Sequence, residues 1–190
     1  TGGGGLSLPE GLSGCADFKT LSVTSSEGFD FTGLDNTSAV KLTIDSVESF
    51  VLPASTKLET LEITGCGLTE VPEMVLDMTA LKTLKLNDNN LTDIPDLSGL
   101  TSLADLVLAS NAFTDIPENA AKLEKLATLG MSGNKIQKIN TDLSGLKSIE
   151  SLTMNECGLT ELPDSLWTLS SLKTLSLYQN KLRRIDVSMA

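Results

Sequence analysis

The sequence predicts an α/β solenoid: a stack of short coils curved into a horseshoe, with a parallel β-sheet on the concave face and short helices or 3-10 turns on the convex face. Three observations carry that prediction. One apolar pattern returns at steps of 22 or 23 residues from Leu58 onward. All six prolines (Pro9, Pro53, Pro72, Pro95, Pro117, Pro163) follow the apolar residue of one slot in that pattern. The chain is 40% hydrophobic but only 4% aromatic, so aliphatic side chains must fill the interior.

The register is read from Leu58, Leu61, Ile63, Cys66, Leu68 and Val71-Pro72. The same spacing returns at Leu81, Leu84, Leu86, Asn89, Leu91 and Ile94-Pro95, and again from Leu103 through Asn111 to Ile116-Pro117. Units beginning at Leu126, Ile149 and Leu172 follow, with Asn134, Cys157 and Asn180 in the Asn slot. Two shorter units precede them, 21 residues from Phe18 and 19 residues from Ala39, and Leu8-Pro9 ends a still earlier one. Residues 1–5 (Thr-Gly-Gly-Gly-Gly) read as a flexible lead-in. Residues 6–190 read as a single domain of about eight repeats: two irregular ones over 18–57 and six regular ones over 58–190, the last incomplete.

Each element has a physical reason. Leu-x-Leu is a short strand that points two side chains inward. No coil can bury its leucines alone, so neighbours must stack. An inward Asn after the strand can satisfy backbone groups of adjacent coils, one rung per repeat. Cysteine fits that slot because a thiol is small, buries well and donates weakly. Cys66 and Cys157 are four units apart, about 19 Å at the usual strand spacing, beyond disulfide reach. Proline fixes an extended or turn backbone where no donor is needed. Met78, Leu100, Leu123, Leu146 and Leu169 recur as inward anchors of the convex segment. Glu118–Leu123 has room for one or two helical turns, whereas Asp96–Leu100 has room only for a 3-10 turn.

The pattern L-x-x-L-x-L-x-x-[N/C]-x-L-x-x-[I/L]-P resembles the leucine-rich repeat family over residues 6–186, in its 22–23-residue typical or Ras-group form. The resemblance implies a rigid module that binds a protein or peptide on its concave face. Extracellular members close their ends with paired cysteines, and here only Cys15 lies near an end. The last unit stops at Ala190 without its convex half. These features lead us to expect either a longer native chain or ends covered by neighbouring subunits.

Chemistry is sparse. There is no histidine, which removes the commonest general base and metal ligand together. No phosphate-cradling glycine loop or calcium-loop pattern occurs, so we expect no enzyme activity, cofactor or metal. A net charge of −11 argues against nucleic acid as a partner. No apolar run is long enough for direct membrane insertion. Asn36-Thr37-Ser38 and Asn90-Leu91-Thr92 are glycan acceptor patterns, with Asn90 favoured because it follows the inward Asn89 and should point outward. Two such patterns are what composition alone would produce. Extracellular or cell-surface placement is the expectation, with a cytoplasmic location as the alternative.

On the concave face the residues flanking each middle leucine point away from the core. Thr60, Glu62, Thr83, Lys85, Asn87, Asp105, Thr128, Thr153 and Tyr178 form the candidate partner-binding set. Threonine suits an exposed strand by propensity alone. Glu62, Lys85 and Asp105 add a mixed-charge centre suited to specificity. The expected function is recognition of a protein ligand, as part of a larger receptor-like or secreted protein. The alternatives are a structural or assembly component and a regulatory domain of a kinase.

Overall fold

The computed structural model describes residues 6–24, 27–54 and 56–183. The lead-in over 1–5, Ser26, Arg184, Ile185 and the tail over 186–190 lie outside the described residues. The strands, in chain order, are β1 (Leu6–Ser7), β2 (Thr20–Thr24), β3 (Phe29–Asp30), β4 (Lys41–Asp45), β5 (Phe50–Val51) and β6 (Thr60–Thr64). They continue as β7 (Thr83–Lys85), β8 (Asp105–Val107), β9 (Thr128–Gly130), β10 (Ser151–Thr153) and β11 (Thr174–Ser176).

Eight of them form one sheet in the order β11-β10-β9-β8-β7-β6-β4-β2, and every pairing is parallel. This is the solenoid that the repeat predicts. Leu42, Leu61, Leu84, Leu106, Leu129 and Leu152 stand side by side in this register and are inaccessible to solvent. Ile44, Ile63, Leu86, Leu108, Met131 and Met154 form a second inaccessible row. Fully burying one such side chain contributes about 1.5–3 kcal/mol, and the parallel register aligns them even where the unit from Ala39 is only 19 residues long.

The convex anchors Met78, Leu100, Leu123, Leu146 and Leu169 are all buried. Each donates its N–H to the carbonyl three residues earlier, on Val75, Leu97, Ala120, Leu143 and Leu166, at 2.9–3.3 Å. One tight turn therefore closes each of these five coils on its outer side. It widens into 3-10 helix at Thr32–Asn36, Glu73–Asp77 and Asp164–Thr168, and into one α-helical turn, α1, at Glu118–Ala121. Trp167 packs half-buried against the core within this layer.

The Asn slot forms the expected ladder. Asn89 Oδ1 accepts the N–H groups of Cys66 and Leu68, each at 3.1 Å, while Nδ2 donates to Ile63 O at 2.9 Å and Leu86 O at 3.1 Å. Asn111, Asn134 and Asn180 repeat this scheme one, two and four coils on. Cys66 Sγ faces Thr64 O at 3.3 Å and Ile44 O of the preceding coil at 3.9 Å, and Cys157 Sγ faces Asn155 O at 3.4 Å and Met131 O of the preceding coil at 3.3 Å, so each thiol takes the place that Asn takes in the other coils. Burial pushes both thiols up, away from the reactive thiolate form.

The residue before each rung lies in the left-handed region: Ser46, Gly65, Asp88, Ser110, Gly133, Glu156 and Gln179, with φ between 53° and 72°. The chain turns out of the strand only through this conformation, which glycine adopts freely and which the five other residues tolerate at a cost.

A second sheet was not visible in the sequence. Strands β1, β3 and β5 pair in parallel on the far side of the three N-terminal coils, with Leu6 opposite Phe29 and Phe29 opposite Phe50. The rings of Phe29 and Phe31 stack with centroids 4.5 Å apart. Two-residue strands are too short to show a period of two.

Candidate functional site

The pleat sends alternate side chains of the main sheet to the core and to the concave face. Residues on β4 and β6 follow a half-buried, buried, half-buried alternation that repeats over β7, β8 and β10. In register, the outer row runs Lys41, Thr60, Thr83, Asp105, Thr128, Ser151 and Thr174. The middle row runs Thr43, Glu62, Lys85, Val107, Gly130, Thr153 and Ser176. Seven of the nine candidate residues lie within the strands, and Asn87 and Tyr178 lie two residues beyond the ends of β7 and β11.

The charged centre differs from the one anticipated. Glu62 and Lys85 pair, but the third member is Lys41 and not Asp105: Glu62 Oε1 receives the Lys85 ammonium at 3.0 Å and the Lys41 ammonium at 3.1 Å. Oε2 accepts the Thr43 hydroxyl at 3.4 Å. Burial alone would raise the Glu62 pKa, but hydrogen bonds and attraction from Lys85 and Lys41 outweigh it, and the carboxyl sits below the ordinary glutamate value. Asp105 stands apart and accepts the Thr83 hydroxyl at 3.2 Å. Lys41 did not stand out in the sequence because its partner is 21 residues away and one pleat off its own register.

Asn87 is on the face, but its Oδ1 accepts the Ala109 N–H at 3.2 Å. Asn155 does the same for Tyr178 N–H at 3.0 Å and also accepts the Ser176 hydroxyl at 2.8 Å. These bonds join neighbouring coils beside the main ladder, so both side chains are committed to the scaffold. Tyr178 remains 60% exposed at the C-terminal end of the face. Between Lys85 and Tyr178 the surface is small and mostly neutral. A Cβ at Gly130 would lie 2.8 Å from Val107 Cγ1, so glycine there lets Val107 lie flat across the sheet.

Among the described residues no group of three or more His, Cys, Asp or Glu is placed to hold a metal ion. None of the described helices is long and apolar enough to cross a membrane. Asn36 ends the 3-10 turn Thr32–Asn36 and is exposed, as is Asn90, whose Nδ2 reaches Gly67 O at 3.4 Å.

Comparison with known proteins agrees with this geometry. The Leucine rich repeat profile matches residues 56–113 and 101–159, together more than half of the chain. The human volume-regulated anion channel subunit LRRC8E is 34% identical over 85 residues, 43% of this chain and 11% of that protein. A leucine-rich repeat protein of Leptospira interrogans superposes with a TM-score of 0.70 at 24% identity, over 95% of this chain and 54% of that one. Internalin C2 of Listeria monocytogenes gives 0.69 at 25% identity, over 92% and 77%. Internalin F of the same species gives 0.65 at 23% identity, over 92% and 58%. The chain thus spans about a tenth of the channel subunit and little more than half of the Leptospira protein. Parallel sheet, Asn rungs and profile converge: the chain belongs to the leucine-rich repeat family.

Proposed function

We propose that this chain is the recognition part of a larger receptor-like or secreted protein and holds a protein or peptide ligand on its concave face. Leucine-rich repeat folds serve generally as protein-interaction modules and typically carry no catalysis. The observation that carries the finer reading is the division of labour among side chains. The leucine rows and the Asn ladder are committed to the scaffold, while Thr60, Thr128 and Thr153 of the concave rows are half-buried and make no rung of the ladder. A photoreactive phenylalanine analogue at Thr128, on the face, is expected to yield a discrete covalent partner adduct from a native extract. The same group at Ser98, on the convex side, should yield none. Adducts from Ser98 alone would defeat the concave-face assignment.

The two exposed acceptor asparagines do not by themselves favour a secreted setting, but they make it testable. Treating the native protein with an N-glycosidase is expected to lower its mass, and Asn90→Gln should remove a larger share of that shift than Asn36→Gln. An unchanged mass would count against passage through a glycosylating compartment.

A further inference from the structure

We propose that Lys41, Glu62 and Lys85 form a subsite for an acidic side chain of the protein ligand. This rests on the concave-face reading and specifies the chemistry of its N-terminal half. The two ammonium groups converge on a single oxygen, Glu62 Oε1, at 3.1 and 3.0 Å. One carboxylate therefore offsets two cations, and the cluster keeps a net charge of about +1. Each ammonium has three N–H donors and uses one on Glu62, leaving the others for a ligand. Both lysine side chains are 39% exposed, whereas Glu62 is 17% exposed and already uses both oxygens. The open hydrogen-bonding capacity at this point is thus mainly donor.

The neighbouring acids do not compete for a cationic ligand on equal terms. Asp45 accepts the Ser46 hydroxyl at 3.0 Å, and Asp105 accepts the Thr83 hydroxyl at 3.2 Å. Thr60 lies beside Lys41 in the register and faces the same side. On a chain of net charge −11, with Asp45 and Asp105 nearby, the two ammonium groups are a local cluster of free donors and not a broad positive field. The surrounding field does not draw acidic partners in; the paired ammonium groups select those whose carboxylate is placed to reach them. An extended protein segment fits better than a free anion, because the face continues as small, neutral rungs from Val107 to Thr153 along which such a chain can lie.

The test is a titration of the isotopically labelled protein with an end-capped dodecapeptide of alternating Ser and Glu, with its Ser-Gln counterpart and with inorganic sulfate. The lysine signals next to Nζ are followed by NMR. The Ser-Glu peptide is expected to move the Lys41 and Lys85 signals, more weakly as salt rises, and the Ser-Gln peptide to leave them in place. Lys41→Gln with Lys85→Gln should weaken binding at least tenfold with the melting temperature nearly unchanged, since exposed ion pairs add little stability. Glu62→Gln should tighten it several-fold by removing the internal competitor. Weaker binding in Glu62→Gln, or an equal response to the Ser-Gln peptide, overturns the proposal. So does a sulfate response as strong as that to the peptide, which would mark a site for free anions. If the lysines stay silent while Thr128 still crosslinks, only the acidic subsite falls. If Thr128 and Ser98 reverse their roles while the lysines respond, the concave-face reading falls instead.

Discussion

Leu129→Ala is expected to cost about 2–5 kcal/mol of stability, the usual range for truncating a buried leucine. Leu129 is inaccessible and lies between Leu106 on β8 and Leu152 on β10. Both neighbouring strands are hydrogen-bonded to its own, so the backbone has little freedom to close over the cavity. The contrast is Leu175 on β11, which is half-buried and, among the described residues, has a strand on one side only. Leu175→Ala should lose markedly less. Urea unfolding of the two variants beside the parent checks this. In a stack where each coil contacts only its neighbours, the Leu129 variant should also broaden the transition, because the array is weakened in its middle. A loss below about 1 kcal/mol at Leu129 would mean that the core relaxes freely and is not held by its register.

Asn134→Ala is expected to cost about 1–3 kcal/mol. The side chain is nearly inaccessible and serves three backbone groups. It accepts the Phe113 N–H at 3.1 Å and donates to Leu108 O at 3.0 Å and Met131 O at 2.7 Å. Alanine leaves those groups buried and unmatched, and the penalty is desolvation without replacement. Cys157→Ala is the internal control, because its thiol makes weaker bonds of 3.3 and 3.4 Å to Met131 O and Asn155 O. That change should cost less than the asparagine. Thermal unfolding distinguishes the outcomes: a melting temperature unchanged by Asn134→Ala would remove the ladder from the account of stability.

Repetition made most of the fold legible. A single Leu-x-x-Leu-x-Leu run is ambiguous, but six at nearly constant spacing leave one arrangement in which every leucine is buried. The inward rows, the rungs at Asn89, Asn111, Asn134 and Asn180 and the convex anchors all follow from that constraint. The same periodicity identified which residues face outward, and so the membership of the concave rows. It did not show how those residues engage one another. Asn87 and Thr128 occupy equivalent faces, yet Asn87 is consumed by the Ala109 N–H. Nothing local to Asn87 announces this, since the acceptor's partner is 22 residues on.

What the sequence determined by itself is the architecture: coil length, parallel register, the buried rows and the rungs, because these depend on composition at a fixed period. The tertiary structure alone decided the charge pattern of the face. Lys41 reaches Glu62 along a diagonal between β4 and β6, while Asp105 turns to Thr83. The second sheet of β1, β3 and β5 is likewise a property of the assembled stack. The physical reason is the same for both. Burial is a one-body preference that each residue carries with it, whereas ion pairing and strand pairing are choices among several partners brought within reach only when the coils are stacked.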